Sequence, residues 1–341
     1  MSDSVRAIHL GILVSAAIAC GWAFGAHRAT VAEGDHRSPE VASSSDPARQ
    51  PLLVLLPPGA AFVLTADVRQ LQRAPLGELL AQRLGNLGRT AELGKACGFD
   101  PLARLDQLLL AVPSADLAAQ EHPEDFGIVA QGRFTGVEIV RCARAVIGKR
   151  GGEAIETRLG SFQSLRDRKS SGEVAAKDGT LIVSGGSYFR ELLDAAEGHG
   201  VGPRAASDAR HSELRRALGR GSIVATWLLD AHWFERVAGD ATNARLSPLA
   251  ALQAVAARID IDVQGGARIR LLLDCADAEA ATRIALLLTE LRSSLHALPL
   301  DAAVSGLAER VTVSQAGARL TLGVAPSRVE LTALLGLLLG P

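Results

Sequence analysis

Short apolar strands joined in pairs by tight turns are the feature that most restricts how this chain can fold. The segment "GEVAAKDGTLIVSG", residues 172–185, alternates on both sides of Asp178-Gly179, a pair typical of two-residue hairpin turns. With that turn, Val174 lies opposite Val183, and the apolar side chains of both strands share one face. Strands connected in this way run antiparallel. The pattern therefore predicts a sheet that is mainly antiparallel.

Two more hairpins are predicted in the C-terminal half. In "ARIDIDVQGGARIRLLLDC", a three-residue loop from Gln264 to Gly266 sets apolar positions against apolar ones and acidic positions against basic ones. A loop of only the two glycines would set Arg268 on the apolar face, so the longer loop is preferred. In "ERVTVSQAGARLTLGV" the turn is expected at Ala316-Gly317. The predicted pairs are Ile261 with Ile269, Asp260 with Arg270 and, in the last hairpin, Val313 with Leu320.

The order of predicted elements occurs twice along the chain. Each half contains strand, helix, strand, strand, helix, strand pair and helix, with an offset of roughly 140 to 165 residues, which is typical of domain duplication. The segment "AFVLTADVRQLQRA" is similar to "IVATWLLDAHWFER", and their strands end at Asp67 and Asp230. This order predicts the α+β class, as tandem duplicated units of mainly antiparallel sheet with helices packed on one face. We assign residues 52–200 to the first unit and 201–341 to the second, and the pattern leaves open whether the units share one sheet.

The N-terminus carries an apolar run long enough to cross a bilayer. Ala7 to Ala26 is a stretch of 20 residues whose polar interruptions are His9 and Ser15, and about 20 apolar residues span a membrane as a helix. We interpret residues 1–28 as a signal peptide or membrane anchor. Residues 29–51 are rich in serine, proline, alanine and charge without hydrophobic periodicity, and they are predicted to be a disordered linker.

Three fates of the N-terminal segment stay open. An uncleaved anchor uses the entire run and is the interpretation we favour, while a cleaved secretory signal needs small residues at the cut site, as in "AFG" or "TVA". Lipidation needs small residues before a cysteine, and "AIAC" supplies them before Cys20, although the run stays apolar through Phe24. Each fate sends the rest of the chain out of the cytoplasm; a cytosolic protein with a buried N-terminal helix is the remaining alternative. We expect a protein of the bacterial cell envelope, anchored in a membrane and facing the periplasm, with a secreted protein or a lipoprotein as the alternative.

Composition argues against nucleic acid as a partner. The formal net charge is −1, so the chain has no overall electrostatic attraction to nucleic acid. Aromatic residues make up 4% of the chain, so side chains on which bases could stack are scarce. The arginines gathered in "ELRRALGRG" are accompanied by acidic neighbours and are predicted to form a solvated face. They are Arg215, Arg216 and Arg220.

The cysteines are too few for a disulfide scaffold and include no CxxC pair that would indicate zinc. Apart from Cys20 they are Cys97, Cys142 and Cys275, of which at most two can pair. We interpret all three as small core or near-surface thiols.

Three phrases carry a resemblance to a known group: "TADVRQLQRAPLGELL", "GFDPLARLDQLLLAV" and "DGTLIVSGG". Following a signal or anchor segment, they resemble uncharacterised bacterial envelope proteins, often of the lipoprotein kind, with a duplicated α+β region. The likeness covers Pro57 to Ala196. It implies an extracytoplasmic location and no known enzyme activity, and it supplies no functional residues. The imperfect lipobox at Cys20 departs from the lipoprotein pattern.

No catalytic motif of the G-x-S-x-G, HExxH or P-loop type occurs in the sequence. The nearest approach is "DAHWFE", where His232 and Glu235 share a helical face after Asp230, as in a partial metal or acid–base pair. We interpret this segment as an exposed helix start.

These patterns predict a membrane-tethered extracytoplasmic binding or scaffold protein, not an enzyme. Its expected partners are the membrane, through the N-terminal segment, and an envelope protein or an apolar ligand held in a cleft between the two units. No nucleic acid, metal or cofactor is expected. The alternative is an extracytoplasmic enzyme with an active site near Asp230, His232 and Glu235.

Overall fold

The structure is a computed structural model, and the predictions made for residues 1–51, including the anchor, Cys20 and the linker, lie outside the residues it describes. Among the described residues, no helix combines the length and apolar character needed to cross a bilayer. The described residues are 52–55, 59–75, 94–113, 126–169, 172–186, 188–199, 206–238, 244–262, 264–295, 306–307 and 309–339.

One antiparallel sheet of 12 strands organises the described part of the chain. The predicted α+β class with a mainly antiparallel sheet is confirmed. The strands are β1 (Ala60–Asp67), β2 (Leu105–Pro113), β3 (Phe126–Gly132), β4 (Ala154–Leu159), β5 (Phe162–Asp167), β6 (Gly172–Lys177), β7 (Thr180–Gly185), β8 (Ile223–Leu228), β9 (Leu252–Ile261), β10 (Ala267–Cys275), β11 (Thr312–Ala316) and β12 (Arg319–Val324). Their order in the sheet is β11-β12-β10-β9-β8-β1-β2-β3-β7-β6-β5-β4.

The two halves of the chain meet where β1 pairs with β8, and we call this pairing the seam. Outward from the seam, β1, β2, β3, β7 and β6 follow one another on one side, and β8, β9, β10, β12 and β11 on the other. Within the described residues, only the first half carries a further hairpin, β4–β5, at its outer edge. Both halves therefore contribute to one continuous sheet with a repeated strand order. The unit boundary at residues 200 and 201 stays a prediction.

Several helices begin where the sequence supplies a capping side chain. Asp67 accepts a hydrogen bond from the first turn of the first helix, and Asp277 does so at the long sixth helix. Ser327 and Glu330 form a reciprocal capping box at the last helix. The helices are α1 (Val68–Arg73), α2 (Gly136–Lys149), α3 (Tyr188–Ala196), α4 (Ala206–Leu218), α5 (Trp233–Ala238), α6 (Ala278–Leu295) and α7 (Arg328–Leu339), with 3-10 turns at Leu52–Leu55, Leu102–Arg104 and Ala244–Ala251.

Helices pack on both faces of the sheet, so the prediction of a single helical face is wrong. On β10, Leu271 and Leu273 pack with α6, whereas Leu272 between them packs with α4 on the opposite face. In the first half, α2 lies on the face of α6 and α3 lies on the face of α4. A strand that is buried on both faces is apolar without alternation, and the run "RLLLDC" in β10 carries this signal, which the prediction of one helical face does not take into account.

The hairpin at Asp178-Gly179 has the predicted register, with Val174 opposite Val183. The other two hairpins differ from prediction by two residues. Gly265 adopts a left-handed conformation with φ +87°, and Asp262 exchanges backbone hydrogen bonds with Gly265 and Gly266 to close the turn. The observed pairs are Ile259 with Ile269, Asp260 with Arg268, and Val313 with Leu322.

Helix α4, which no sequence pattern above predicts, covers the seam. The imidazole of His211 is buried there, between the carbonyl oxygen of Ala60 and the hydroxyl of Thr226. One turn later, the guanidinium of Arg215 donates to acceptors on both central strands, so the prediction that this arginine belongs to a solvated face is wrong. Burial lowers the pKa of Arg215 to about 10. Its acceptors are Thr65 Oγ1 at 2.8 Å and the carbonyl oxygens of Val63 and Val224, each at 3.1 Å.

Candidate functional site

A groove runs between α2 and the hairpin β4–β5. Helix α2 packs mainly over β5 and β6, so β4 projects beyond the helix and leaves this part of the sheet face open. Two adjoining clefts of about 350 and 480 Å³ form the groove, and they share Val137 and Gln163 as lining residues. The smaller cleft lies at the N-terminal end of α2, beside Lys177 and Asp178, and the larger one follows the helix toward β4. Both lie inside the first half of the sheet, away from the seam.

The helical wall of the groove is held close to the sheet by a glycine. The backbone N–H of Gly136 donates to the carboxylate of Asp178 over 3.0 Å. A Cβ at Gly136 would lie 3.1 Å from the carbonyl oxygen of Ala176 and 3.2 Å from the Cα of Lys177. The absence of a side chain is what lets the first turn of α2 approach the backbone of β6.

A capping box fixes the N-terminus of the same helix. Glu138 accepts a hydrogen bond of 2.8 Å from the backbone N–H of Thr135, and the hydroxyl of Thr135 accepts one from the backbone of Glu138. Arg104 donates to the other carboxylate oxygen of Glu138, also over 2.8 Å. The bond from the Thr135 backbone, followed by that from Arg104, lowers the pKa of Glu138 to about 2. The cap is therefore ionised and intact at neutral pH.

A disulfide between Cys97 and Cys142 ties the middle of α2 to the segment that precedes β2. The interpretation of these two cysteines as free thiols is thus wrong. Cys275 is free and buried, as expected, and burial raises the pKa of its thiol to about 11. The number of cysteines permits one such bridge, but their spacing does not indicate which residues form it, because the contact is made by the tertiary fold.

The strand wall of the groove is held at its turn by α3. Gly160, at φ +59°, and Ser161 connect β4 to β5. The carboxylate of Glu197, just beyond α3, accepts from the hydroxyl of Ser161 over 2.7 Å and from its backbone N–H over 2.8 Å. These two bonds lower the pKa of Glu197. The ammonium of Lys177 lies 4.4 Å from the ring centre of Phe162 and links the turn to β6.

Guanidinium groups dominate the charge of the larger cleft. Arg144 on α2 forms an ion pair with Glu156 on β4, so this pair spans the groove from one wall to the other. Arg141 and Arg158 line the same cleft and are exposed, and neither has an ion-pair partner among the described residues. Three arginines thus face one carboxylate. Guanidinium groups bind carboxylates and phosphates through paired hydrogen bonds, so the groove has the chemistry of an anion-binding surface.

The structure brings Asp230, His232 and Glu235 together at the start of α5. The backbone N–H of His232 donates to Asp230 Oδ1 over 2.8 Å, and His232 Nδ1 lies 3.2 Å from Glu235 Oε2. The side chains of His232 and Glu235 are 73% and 77% exposed. They lie at a helix start open to solvent, and neither lines the groove. Among the described residues, no group of three or more His, Cys, Asp or Glu is placed to hold a metal ion.

The groove depends on a strand that the sequence analysis does not predict. The segment "AIETRL" of β4 alternates in the way a strand does, and "GS" follows it as a turn. The alternation covers six residues, and Thr157 between the two large apolar side chains is polar and exposed, so its amphipathic signal is weak. Ile155, Thr157 and Leu159 share one side of the strand, and Glu156 and Arg158 lie on the side of α2; Thr157 is exposed and also lines the larger cleft.

Comparison with known proteins finds similarity only among solved structures. No family model matches the chain, and no curated protein matches it. Crystal form III of TP0453 is similar at 13% identity and a TM-score of 0.49, over 85% of this chain and 98% of that one. Crystal form I of TP0453 gives 13% identity and a TM-score of 0.49 over 86% and 99%, and crystal form IV gives 13% and 0.48 over 83% and 95%.

Proposed function

We propose that this chain is a membrane-tethered extracytoplasmic binding protein of the bacterial envelope and that the groove beside α2 is its binding surface. The disulfide between Cys97 and Cys142 carries the proposal. Disulfides persist in oxidising compartments and are rare in the cytosol. A bridge that ties the wall of the groove to the sheet therefore supports an extracytoplasmic location.

The N-terminal sequence supports the tether. The run from Ala7 to Ala26 is long enough to cross a bilayer, and residues 29–51 have the composition of a flexible linker. An anchor followed by a linker would hold the folded part away from the membrane with its groove accessible. The resemblance to envelope proteins over Pro57 to Ala196 agrees with this arrangement.

The groove supports binding in preference to scaffolding alone. Both of its walls are clamped, one by Gly136 and the disulfide and the other by Glu197 at the turn of β4–β5. A surface held in this way loses little conformational entropy when it binds a partner. The apolar ligand expected between the two units has no support here, because the halves meet at the seam through paired strands.

Fractionation of bacterial cells that express the full chain tests the location. We expect the protein in the membrane fraction, degraded by added protease in spheroplasts but not in intact cells, with Cys97 and Cys142 protected from alkylation until a reductant is added. The matched control lacks residues 1–28 and should be soluble, protected from protease in spheroplasts and reduced at both cysteines. Reduced cysteines and protease protection in the full chain would overturn the proposal.

The alternative proposal is an enzyme with its active site at His232 and Glu235. The contact between the two side chains favours it, but their exposure argues against it, because solvent screens the interaction between groups this open to water. Replacement of both residues by alanine tests this site. Loss of a cellular phenotype with unchanged unfolding would support the enzyme, and a normal phenotype would exclude this version of it.

A further inference from the structure

We propose that the groove binds a carboxylate-bearing ligand, that Arg141, Arg144 and Arg158 recognise it, and that Glu156 is an internal competitor which the ligand displaces. This inference rests on the proposed binding function and names the chemistry of its ligand. The groove already holds one arginine–carboxylate pair, between Arg144 and Glu156. A carboxylate of the ligand would therefore make the same kind of contact that Glu156 already makes with Arg144.

The position of this pair makes it a barrier inside the groove. Arg144 projects from α2 and Glu156 from the edge strand β4, so their contact crosses the larger cleft. The two side chains are 56% and 45% exposed. An ion pair this exposed gains little net free energy and is readily exchanged for another. A ligand carboxylate could therefore replace that of Glu156 on Arg144 without a large cost.

The remaining arginines offer an incoming anion more contacts than Glu156 makes, which favours displacement of Glu156. Arg141 lies one helical turn before Arg144, and Arg158 lies two residues after Glu156 on the same side of β4. A ligand with more than one carboxylate would contact Arg144 together with one or both of these unpaired cations. Glu156 supplies a single negative charge and cannot match such contacts. An extended acidic chain fits this arrangement, because the cations lie on both walls of the cleft, two along α2 and one on β4.

The neighbouring cleft gives the ligand room to continue. It shares Val137 and Gln163 with the arginine-lined cleft and is bounded further along by Gly136 at the start of α2 and Ser161 at the β4–β5 turn. The side chain of Val137 is 52% exposed and offers an apolar contact in an otherwise polar groove.

Titration of the purified full-length protein in detergent with a tetraglutamate peptide tests the inference. Low ionic strength is needed because salt screens exposed ion pairs. We expect Glu156→Gln to tighten binding about threefold and Arg141→Gln with Arg158→Gln to weaken it about tenfold, because one exposed ion pair changes an equilibrium by a factor of roughly two to five. The matched control is Arg166→Gln, which removes one positive charge from β5 outside the groove lining and should leave the affinity within twofold of wild type.

Three results would overturn the inference: no measurable binding of tetraglutamate, equal effects of the groove and control variants, or unchanged affinity in Glu156→Gln. Inorganic pyrophosphate serves as the second probe. If it binds through the same arginines while tetraglutamate does not, the site selects phosphate, and the assignment to carboxylate is wrong. If tetraglutamate does not bind but the fractionation gives the expected result, the carboxylate ligand is excluded and the tethered location is still supported. Reduced cysteines and a cytoplasmic location would instead remove the proposed function, whatever the titration shows.

Discussion

Nε2 of His211 lies 2.9 Å from the carbonyl oxygen of Ala60, so a side chain of α4 from the second half holds the first residue of β1 in the first half. Its Nδ1 lies 2.7 Å from the hydroxyl of Thr226 on β8. A neutral imidazole satisfies both contacts, donating from Nε2 to the carbonyl and accepting at Nδ1 from the hydroxyl. The same ring thus contacts both strands of the seam.

Stability should fall as the pH drops through the titration range of histidine. Burial, followed by the nearby charge of Arg215, lowers the pKa of His211. The unfolded chain then binds a proton near pH 6.5 while the folded chain does not, so the contribution of His211 is complete above that pH and declines below it. Urea unfolding between roughly pH 5 and 7 should show a smaller pH dependence for His211→Gln than for wild type. His232→Gln, at a side chain that is 73% exposed, is the control for the substitution itself. An unchanged slope in His211→Gln would contradict the assignment.

Arg215→Ala should lower the free energy of unfolding by about 2–3 kcal/mol. The substitution removes three charge-assisted hydrogen bonds to acceptors on β1 and β8, each contributing about 1.5–3 kcal/mol, together with the packed stem of the side chain. The desolvation cost of the buried guanidinium, which the alanine variant no longer bears, offsets part of this loss. Arg216, the next residue, is exposed. Arg216→Ala should therefore change stability by less than about 0.5 kcal/mol. Equal denaturant midpoints for the two variants would show that Arg215 does not hold the seam.

Loss of the disulfide should destabilise the protein by about 2–4 kcal/mol, since the bridge closes a loop across a sequence separation of 45 residues and restricts the unfolded chain. The double variant Cys97→Ser, Cys142→Ser should lower the denaturant midpoint, and a reductant should have no further effect on it. Cys275→Ala is the control, because its thiol is buried and free, and this variant should still respond to reductant. A wild-type midpoint that does not respond to reductant would argue against the bridge.

Replacement of either of two glycines of α2 by alanine should change the stability of the protein, in opposite directions. Gly136→Ala should destabilise the protein by about 1–2 kcal/mol, because its Cβ would crowd the backbone of Ala176 and Lys177. Gly148→Ala, at the other end of the helix, meets no atom within 4 Å and should stabilise by about 0.5–1 kcal/mol through helix propensity. Thermal unfolding of the two variants measures the contrast. A stabilising Gly136→Ala would show that the helix can move away from β6 without cost.

The registers of the hairpins show which features of strand pairing can be predicted from sequence patterns. Val174 pairs with Val183 as predicted, because a two-residue Asp-Gly turn permits one alignment. At Gly265 and Gly317 the observed alignment is shifted by two residues from the predicted one. A shift of two keeps every side chain on its own face, so the apolar pattern is satisfied by both alignments, and the backbone of the turn decides between them.

The candidate site was largely beyond sequence reasoning for a related reason. Helix α2, with its capping residues Thr135 and Glu138, has strong local signals. The opposite wall is the weakly patterned strand β4. The cross-groove pair of Arg144 and Glu156 joins residues whose proximity depends on where the edge hairpin folds back. The positions of single charged residues in a sequence do not indicate which of them will form an ion pair.

The amino-acid sequence by itself determined the local elements: the strands, their antiparallel pairing in hairpins, the order repeated in both halves, and the capped helix starts. These follow from alternation, helical periodicity and turn chemistry, which act over a few residues. Only the tertiary structure decided that β1 pairs with β8 to make one sheet, that helices cover both faces, that Cys97 meets Cys142, and that Arg215 is drawn into the seam. Each of these joins residues far apart in the chain, and the free energy of packing selects among arrangements that local patterns satisfy equally well.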